Sequence, residues 1–207
     1  MTFRPTLLAL GLAMTATFAM TAQAEGNMAE GKARAYTCQG CHGIPNYKNQ
    51  FPSYSVPRLG GQNPKYIENA LKAYASGERS HPTMFSQATG MTDEVRADIA
   101  SFLHGEPVQP TGQVVGTPPP ATQTCVACHG ADGAKTVSED YPKLAGQQAD
   151  YIVHALKDYK SGKRKNPVMA GIIAGVDEKD FDAIAQFFSQ QKGLCTTDVI
   201  AKHGKCE

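Results

Sequence analysis

A five-residue pattern that occurs twice constrains this 207-residue chain more than any other feature. The first copy spans residues 38–42 (CQGCH) and the second spans residues 125–129 (CVACH). Two cysteines three positions apart lie near one another on a helical turn, and a histidine follows them directly. Each copy can therefore present two thiols and an imidazole to the same volume.

The spacing C-x-x-C-H is the attachment signature of a covalent c-type haem, in which the thiols bond to the porphyrin and the histidine ligates the iron. C-x-x-C without the histidine also occurs in redox dithiols and zinc sites. The histidine and the second copy favour haem. The sequence therefore predicts two haem c groups, bonded by four cysteines and ligated by two histidines: Cys38, Cys41, Cys125, Cys128, His42 and His129.

The pentapeptides lie inside a longer internal repeat. Residues 57–62 (PRLGGQ) recur as residues 142–147 (PKLAGQ) at an offset of 85, and the same offset relates many positions up to residue 84. The pentapeptides themselves are offset by 87, so the first copy carries two extra residues in a loop. The chain is therefore predicted to form two homologous lobes, each with its own haem.

The repeat also nominates a sixth ligand for each iron. Met84 and Met169 share one register, and each follows a proline by two residues. A thioether is a soft ligand that favours ferrous iron and raises the reduction potential. The alternative role is core filling, and the rival ligands in the first lobe are Met91, whose counterpart is Val176, and His81. With both axial positions filled, neither iron has a site for substrate, so we expect an electron carrier and not an enzyme.

Residues 1–24 are predicted to be a cleaved secretory signal peptide. Arg4 provides a basic start, residues 7–20 are apolar, and residues 22–24 (AQA) form a small-x-small cleavage site. An uncleaved anchor is the alternative, although the apolar stretch is short for a membrane span. We expect a periplasmic protein, either free or loosely associated with the membrane surface.

Two cysteines lie outside the haem motifs, in the C-terminal tail. Cys195 and Cys206 are not followed by histidine, which excludes a third haem. In an oxidising compartment a disulfide is expected, and free thiols are the alternative. Residues 118–120 (PPP) stand where the first lobe has a good helix, so the second lobe is predicted to lack its first helix. We expect the tail to cover the side left exposed.

The charges of the chain are balanced, with 20 lysines and arginines against 19 aspartates and glutamates. This balance argues against a nucleic-acid-binding protein. A local basic run comprises Lys160, Lys163, Arg164 and Lys165. It is either a solvated surface turn or a docking patch for an acidic redox partner, since opposite charges accelerate encounter.

The periodicity of the apolar residues predicts an all-α fold. Helices are expected over residues 64–76 and 149–161, after Thr92 and after Asp177, and in residues 27–37 ahead of the first haem motif. The predicted boundaries are residues 25–104 for the first domain, 105–120 for a proline- and glycine-rich linker, 121–191 for the second domain and 192–207 for the tail.

In these motifs the chain resembles the dihaem c4-type cytochromes c, which consist of two class I cytochrome c lobes in contact. The resemblance runs from about residue 26 to residue 191 and rests on C-x-x-C-H, P-x-L-x-G-Q and the proline-methionine segment of each lobe. It implies that each lobe consists of a few short helices wrapped round its covalent haem. It also implies that the carbonyls of Pro57 and Pro142 orient the haem-ligating histidines.

The resemblance further implies a carrier that passes single electrons between respiratory donors and a membrane terminal oxidase, its partners being redox proteins. A dihaem cytochrome subunit of a sulfur-compound oxidoreductase, such as a flavocytochrome, is the alternative. An enzyme in its own right, such as a peroxidase or a thiosulfate dehydrogenase, is a third hypothesis. The paired methionines argue against it, and the chain has no flavin-binding fingerprint.

Overall fold

A computed structural model describes residues 26–48, 53–106 and 110–206. The predicted signal peptide lies outside these ranges. Within them the secondary structure consists of helices and isolated β-bridges, without a named strand. The fold is all-α, as the sequence predicts, and none of the described helices is both long and apolar enough to cross a bilayer.

Five helices build lobe one, and local sequence signals set their ends. Asn27 caps the first helix by accepting the backbone N–H groups of its first turn, and Thr92 caps the last in the same way. Gly77 ends the third helix in the left-handed conformation. The helices are α1 (Met28–Arg34), α2 (Tyr36–His42), α3 (Pro64–Ser76), α4 (Pro82–Ala88) and α5 (Asp93–His104).

Lobe two repeats this arrangement without a counterpart of α1 in the described residues. A short 3-10 helix (Pro120–Thr122) leads directly into the helix of the haem motif, as the prolines predict. Another 3-10 turn (Glu178–Asp180) precedes the last helix of the lobe. The helices are α6 (Gln123–His129), α7 (Ala149–Lys160), α8 (Pro167–Ala174) and α9 (Phe181–Ser189).

The short helices α4 and α8 carry Met84 and Met169, and the apolar pattern does not predict them because two turns are too few to show a period. Each begins at a proline, which is pre-organised for a first helical position. The side chain of His81 accepts the N–H of Met84 at 3.2 Å, and Asn166 accepts that of Met169 at 3.0 Å. The two caps thus fix both methionines in the same way.

The lobes face one another through a reciprocal pair of glutamines. The Gln62 side chain donates to the Lys143 carbonyl at 3.0 Å and accepts the Lys143 N–H at 2.8 Å. The Gln147 side chain forms the equivalent bonds with Arg58, at 3.0 and 2.9 Å. Because equivalent residues exchange equivalent bonds, the lobes are related by a pseudo-two-fold axis, and the expected contact between them is present.

The C-terminal tail forms a disulfide and lies on lobe one. Cys195 and Cys206 are bonded, as the sequence predicts, and a last helix, α10 (Thr197–His203), lies between them. The sequence predicts that the tail helps to cover lobe two. The start of the tail contacts lobe two at Leu194, but α10 and the disulfide lie on lobe one, so the prediction is wrong for most of the tail. The side chain of Ile200 enters the core of lobe one, because that lobe offers the apolar surface against which it packs.

A charged contact crosses the lobe boundary at Asp150. Its carboxylate accepts the N–H and the hydroxyl of Ser55 at 3.0 and 2.9 Å, and Lys48 lies 3.0 Å away. Partial burial acts to raise the pKa of Asp150, but the hydrogen bonds from Lys48 and Ser55 outweigh it and lower the pKa overall. The folded state therefore favours the ionised carboxylate.

We predict that Asp150→Asn lowers stability by about 1 kcal/mol at neutral pH. A carboxyl whose pKa is lowered by folding stabilises the protein above its unfolded pKa of about 4. That contribution is lost as pH falls through the lower folded-state value. Thermal unfolding followed by circular dichroism between pH 7 and 3 should show the two proteins converging in acid. A constant difference across this range would contradict the assignment, and Asp182→Asn, on an exposed side chain of α9, is the control.

Candidate haem-binding site

The haem motifs form helical turns that end at their histidines. In α2 the side chains of Cys38 and Cys41 lie one turn apart, and both are half-buried free thiols. Cys125 and Cys128 repeat this arrangement in α6. Each helix ends at its motif histidine and stops at the following glycine, which keeps the imidazole at the wall of the lobe.

A proline carbonyl orients each imidazole. The Nδ1 of His42 lies 2.8 Å from the carbonyl oxygen of Pro57, and the Nδ1 of His129 lies 2.8 Å from that of Pro142. A carbonyl can only accept, so Nδ1 carries the proton and Nε2 keeps its lone pair. A neutral imidazole with a free Nε2 is the form that binds iron.

Burial keeps these imidazoles neutral. It lowers the pKa of His42 to about 4, against the opposing effect of the bond to Pro57. Burial likewise lowers the pKa of His129. Neither ring needs to lose a proton at neutral pH before it can bind a metal.

One cavity of about 530 Å³ reaches both haem motifs. Its walls are largely apolar and are built from matching residues of α3 and α7, among them Ile67, Leu71, Ile152 and Leu156. All four motif cysteines and both motif histidines line it. An apolar space bordered by thiols and neutral imidazoles fits a planar macrocycle in each lobe.

Known proteins share this architecture. Residues 121–192 match the cytochrome c family. The chain is 28% identical to cytochrome c4 of Pseudomonas aeruginosa over 87% of its own length and 96% of that protein. It is 40% identical to a thiosulfate dehydrogenase electron acceptor of Stutzerimonas stutzeri, over 75% of this chain and 79% of that one. The chain belongs to the dihaem cytochrome c4 family.

A solved cytochrome c4 of Acidithiobacillus ferrooxidans agrees with this membership. It superposes with a TM-score of 0.60 at 26% identity, covering 75% of this chain and 99% of that structure. This dihaem cytochrome accordingly consists of two class I lobes and carries two covalent haem c groups, as the sequence predicts. Electron transport is the activity of the family.

The structure brings both methionines to the haem cavity. Met84 and Met169 are half-buried, pack against the cores of their lobes and line the cavity that the motif histidines line. Met91 and His81 line it too, so the two rivals in lobe one remain near the site. Val176, the counterpart of Met91, has no side chain that could ligate iron.

Two buried arginines lie at the lobe boundary, and the charge pattern of the sequence places one of them, Arg164, in the basic run instead. Arg79 and Arg164 are only 9% and 8% exposed, and they face each other across an antiparallel bridge. Each guanidinium stacks on a tyrosine of its own lobe and donates to a tyrosine hydroxyl of the other: Arg79 to Tyr151, and Arg164 to Tyr66 at 2.8 Å. The signal that could have revealed them is their shared register in the repeat.

Arg164 is therefore not part of a surface run, although Lys163 and Lys165 beside it are exposed. No carboxylate among the described residues forms a salt bridge with Arg79 or Arg164. Burial raises the pKa of Tyr66, but Arg164 and Arg79 outweigh it and hold the value at about 8, which shows how positive this region is. Buried cations need a counter-anion, and the carboxylates of a haem in the adjoining cavity fit that need.

We predict that Cys125→Ala combined with Cys128→Ala gives a cytochrome with one covalent haem. Without thiols α6 cannot bond a porphyrin, whereas α2 is unchanged. The ratio of haem to chain, measured by the pyridine haemochrome assay on denatured protein, should fall from two to one. Glu139→Gln, on an exposed side chain of the same lobe, is the control. An unchanged ratio would contradict the assignment of these cysteines.

Proposed function

We propose that His42 with Met84, and His129 with Met169, ligate the two irons, and that the protein passes single electrons between respiratory donors and a membrane terminal oxidase. The observation that carries this proposal is that each methionine lines the same cavity as the histidine of its lobe. A haem bound there supplies one-electron chemistry between ferric and ferrous iron.

The residues of the chain suit an electron carrier. Hydrogen bonds from His42 and His129 to proline carbonyls fix the rings, which keeps reorganisation small when the charge of the site changes. The caps on α4 and α8 hold the thioethers in place. Apolar walls limit water, and a thioether favours the ferrous state, so both features support a high reduction potential.

Two occupied axial positions would leave each iron six-coordinate. An iron without an open position cannot bind a peroxide or a sulfur compound unless a ligand leaves. The proposal is therefore a carrier that receives electrons from other proteins and performs no substrate chemistry itself. The periplasm is the proposed compartment, with residues 1–24 as the signal that directs export.

A second candidate function concerns the electron donor. The 40% identical relative is an electron acceptor of thiosulfate dehydrogenase, which favours a sulfur-oxidising enzyme as the donor of this protein. This agrees with the alternative of a sulfur-compound oxidoreductase. A respiratory donor and a sulfur-oxidising donor are both compatible with the same electron acceptor, because electrons from either source can continue to a terminal oxidase.

We predict that Met84→Ala and Met169→Ala each remove one iron–sulfur bond. The weak red absorbance band of ferric haem with a methionine ligand should fall to about half in each variant and vanish in the double variant. Met91→Ala is the control in lobe one and should retain the whole band. A band that stays whole in Met84→Ala and falls to about half in Met91→Ala would assign the ligand to Met91 instead.

Stopped-flow spectroscopy tests the carrier function. We expect thiosulfate alone to leave the ferric protein oxidised, and thiosulfate with a thiosulfate dehydrogenase to reduce both haems. Membranes that contain a terminal oxidase should then reoxidise the protein in a cyanide-sensitive reaction. Reduction by thiosulfate without the dehydrogenase would refute the carrier proposal. Failure of the dehydrogenase to reduce the protein would refute only the sulfur-linked donor.

A further inference from the structure

The C-terminal tail (residues 192–207) crosses from one lobe to the other within two residues. The N–H of Leu194 donates to the Ala145 carbonyl in lobe two at 2.8 Å. Cys195 then exchanges two backbone hydrogen bonds with Gly60 of lobe one, at 3.0 and 3.1 Å. Because this pairing is a backbone ladder, the path of the tail is set before its helix begins.

Beyond this point the tail belongs to lobe one. Ile200 is 3% exposed and packs with the side chains of α3 and α5, and Cys206 is 5% exposed in the same cluster. The N–H of Glu106, just after α5, donates to the Gly204 carbonyl at 2.8 Å. A segment that follows lobe two in sequence therefore completes the core of the lobe that precedes it.

Lobe one has glycines where the tail passes, and lobe two has side chains at the equivalent positions. A Cβ on Gly60 would lie 2.7 Å from the Sγ of Cys195, and its counterpart is Ala145. A Cβ on Gly105 would lie 2.5 Å from the Gly204 carbonyl oxygen, and its counterpart is Gln190. At these two positions the glycines make room for the tail in lobe one. In lobe two, Gly146 lies beside Leu194, where the tail begins.

The tail touches both segments that orient the first motif histidine. Gly43 follows His42 directly, and a Cβ there would lie 3.3 Å from the buried hydroxyl of Thr197, which has no hydrogen-bond partner. Gly60 lies on the loop whose Pro57 carbonyl accepts the proton of His42. The disulfide closes the tail against this loop, since a Cβ on Gly61 would lie 3.1 Å from the Sγ of Cys206.

We infer that the disulfide-closed tail is a positioning element for the first haem site. It holds the chain on both sides of the hydrogen bond from His42 to Pro57 and so fixes the plane of that imidazole. The tail also contacts the loop that carries Pro142, but at Leu194, before the disulfide-closed segment, and α10 lies on lobe one. The two haem centres are therefore inequivalent, and breaking the disulfide changes the first centre only. This inference rests on the proposed role of His42 as an iron ligand.

The test uses full-length ferric holoprotein with Cys195→Ser and Cys206→Ser together. Proton NMR resolves the haem methyl signals that the iron shifts, and these report the plane of the axial imidazole for each haem. A variant with Cys38→Ala and Cys41→Ala, which lacks the first haem, identifies the signals of the second. We expect the signals of the first haem to move or broaden and those of the second to stay unchanged.

Hydrogen exchange and redox titration supply independent readouts. In the double serine variant the amides of residues 43 and 58–61 should exchange about tenfold faster or more, while those of residues 128–141 and 143–146 keep their rates. Of the two reduction waves, one should shift and the other remain. A loss of packing confined to α10 would not move a haem potential, so the titration separates positioning from a purely structural role.

A second variant keeps both cysteines. Gly60→Ala introduces the Cβ that meets Cys195 and should reproduce the shift of the first haem's signals. Ala145→Gly, the reverse exchange at the matching position of lobe two, should leave those signals in place. This pair keeps the test decisive even where the double serine variant fails to mature.

Unchanged signals of the first haem in a variant whose tail has come loose would overturn the inference. Equal changes at both haems would overturn it too, because the effect would then be global. His42→Ala tests the ligand assignment separately from the role of the tail. If the first haem keeps its axial-ligand spectrum without this imidazole, the proposed ligand is wrong, whatever the tail does.

Discussion

A hydrogen bond from the Nδ1 of an imidazole to a proline carbonyl stands at the centre of each lobe. It joins the haem-motif helix to the P-x-L-x-G-Q segment. Two parts of the chain that meet only in the folded state therefore fix the orientation of one imidazole ring. The bond fixes which nitrogen keeps its lone pair, and burial keeps the ring neutral. Cavity walls, methionine helices and lobe contacts are all arranged round this pair of rings.

The P-x-L-x-G-Q segment also forms the interface between the lobes. Its glutamines, Gln62 and Gln147, bind the backbone of the opposite segment, so each segment serves its own histidine and the other lobe at once. The two buried arginines extend the contact towards the cavity. A change at the interface therefore reaches the loops that orient both imidazoles, which links the arrangement of the lobes to their redox centres.

The departures from symmetry are as informative as the repeat. Lobe one has the helix α1 and receives the tail, whereas lobe two begins at a proline-rich 3-10 turn. Glycines in lobe one accommodate the tail where lobe two has Ala145 and Gln190. One chain thus surrounds two similar cofactor sites with different elements. Different surroundings are a physical basis for unequal reduction potentials, because hydrogen bonding and solvent exposure tune a haem.

The sequence by itself determined the two haem motifs, the lobes, the helices α3, α5 and α7 and the candidate methionines, because each depends on local spacing or on the register of the repeat. The proline carbonyls that meet the imidazoles are those that the family resemblance implies. Only the tertiary structure decided where the tail lies and that Arg164 is buried beside Arg79. These features depend on contacts between residues far apart in the chain. Whether a charged side chain is buried, and where a tail lies, depends on which surfaces the rest of the fold leaves uncovered. No local sequence pattern indicates which surfaces these are.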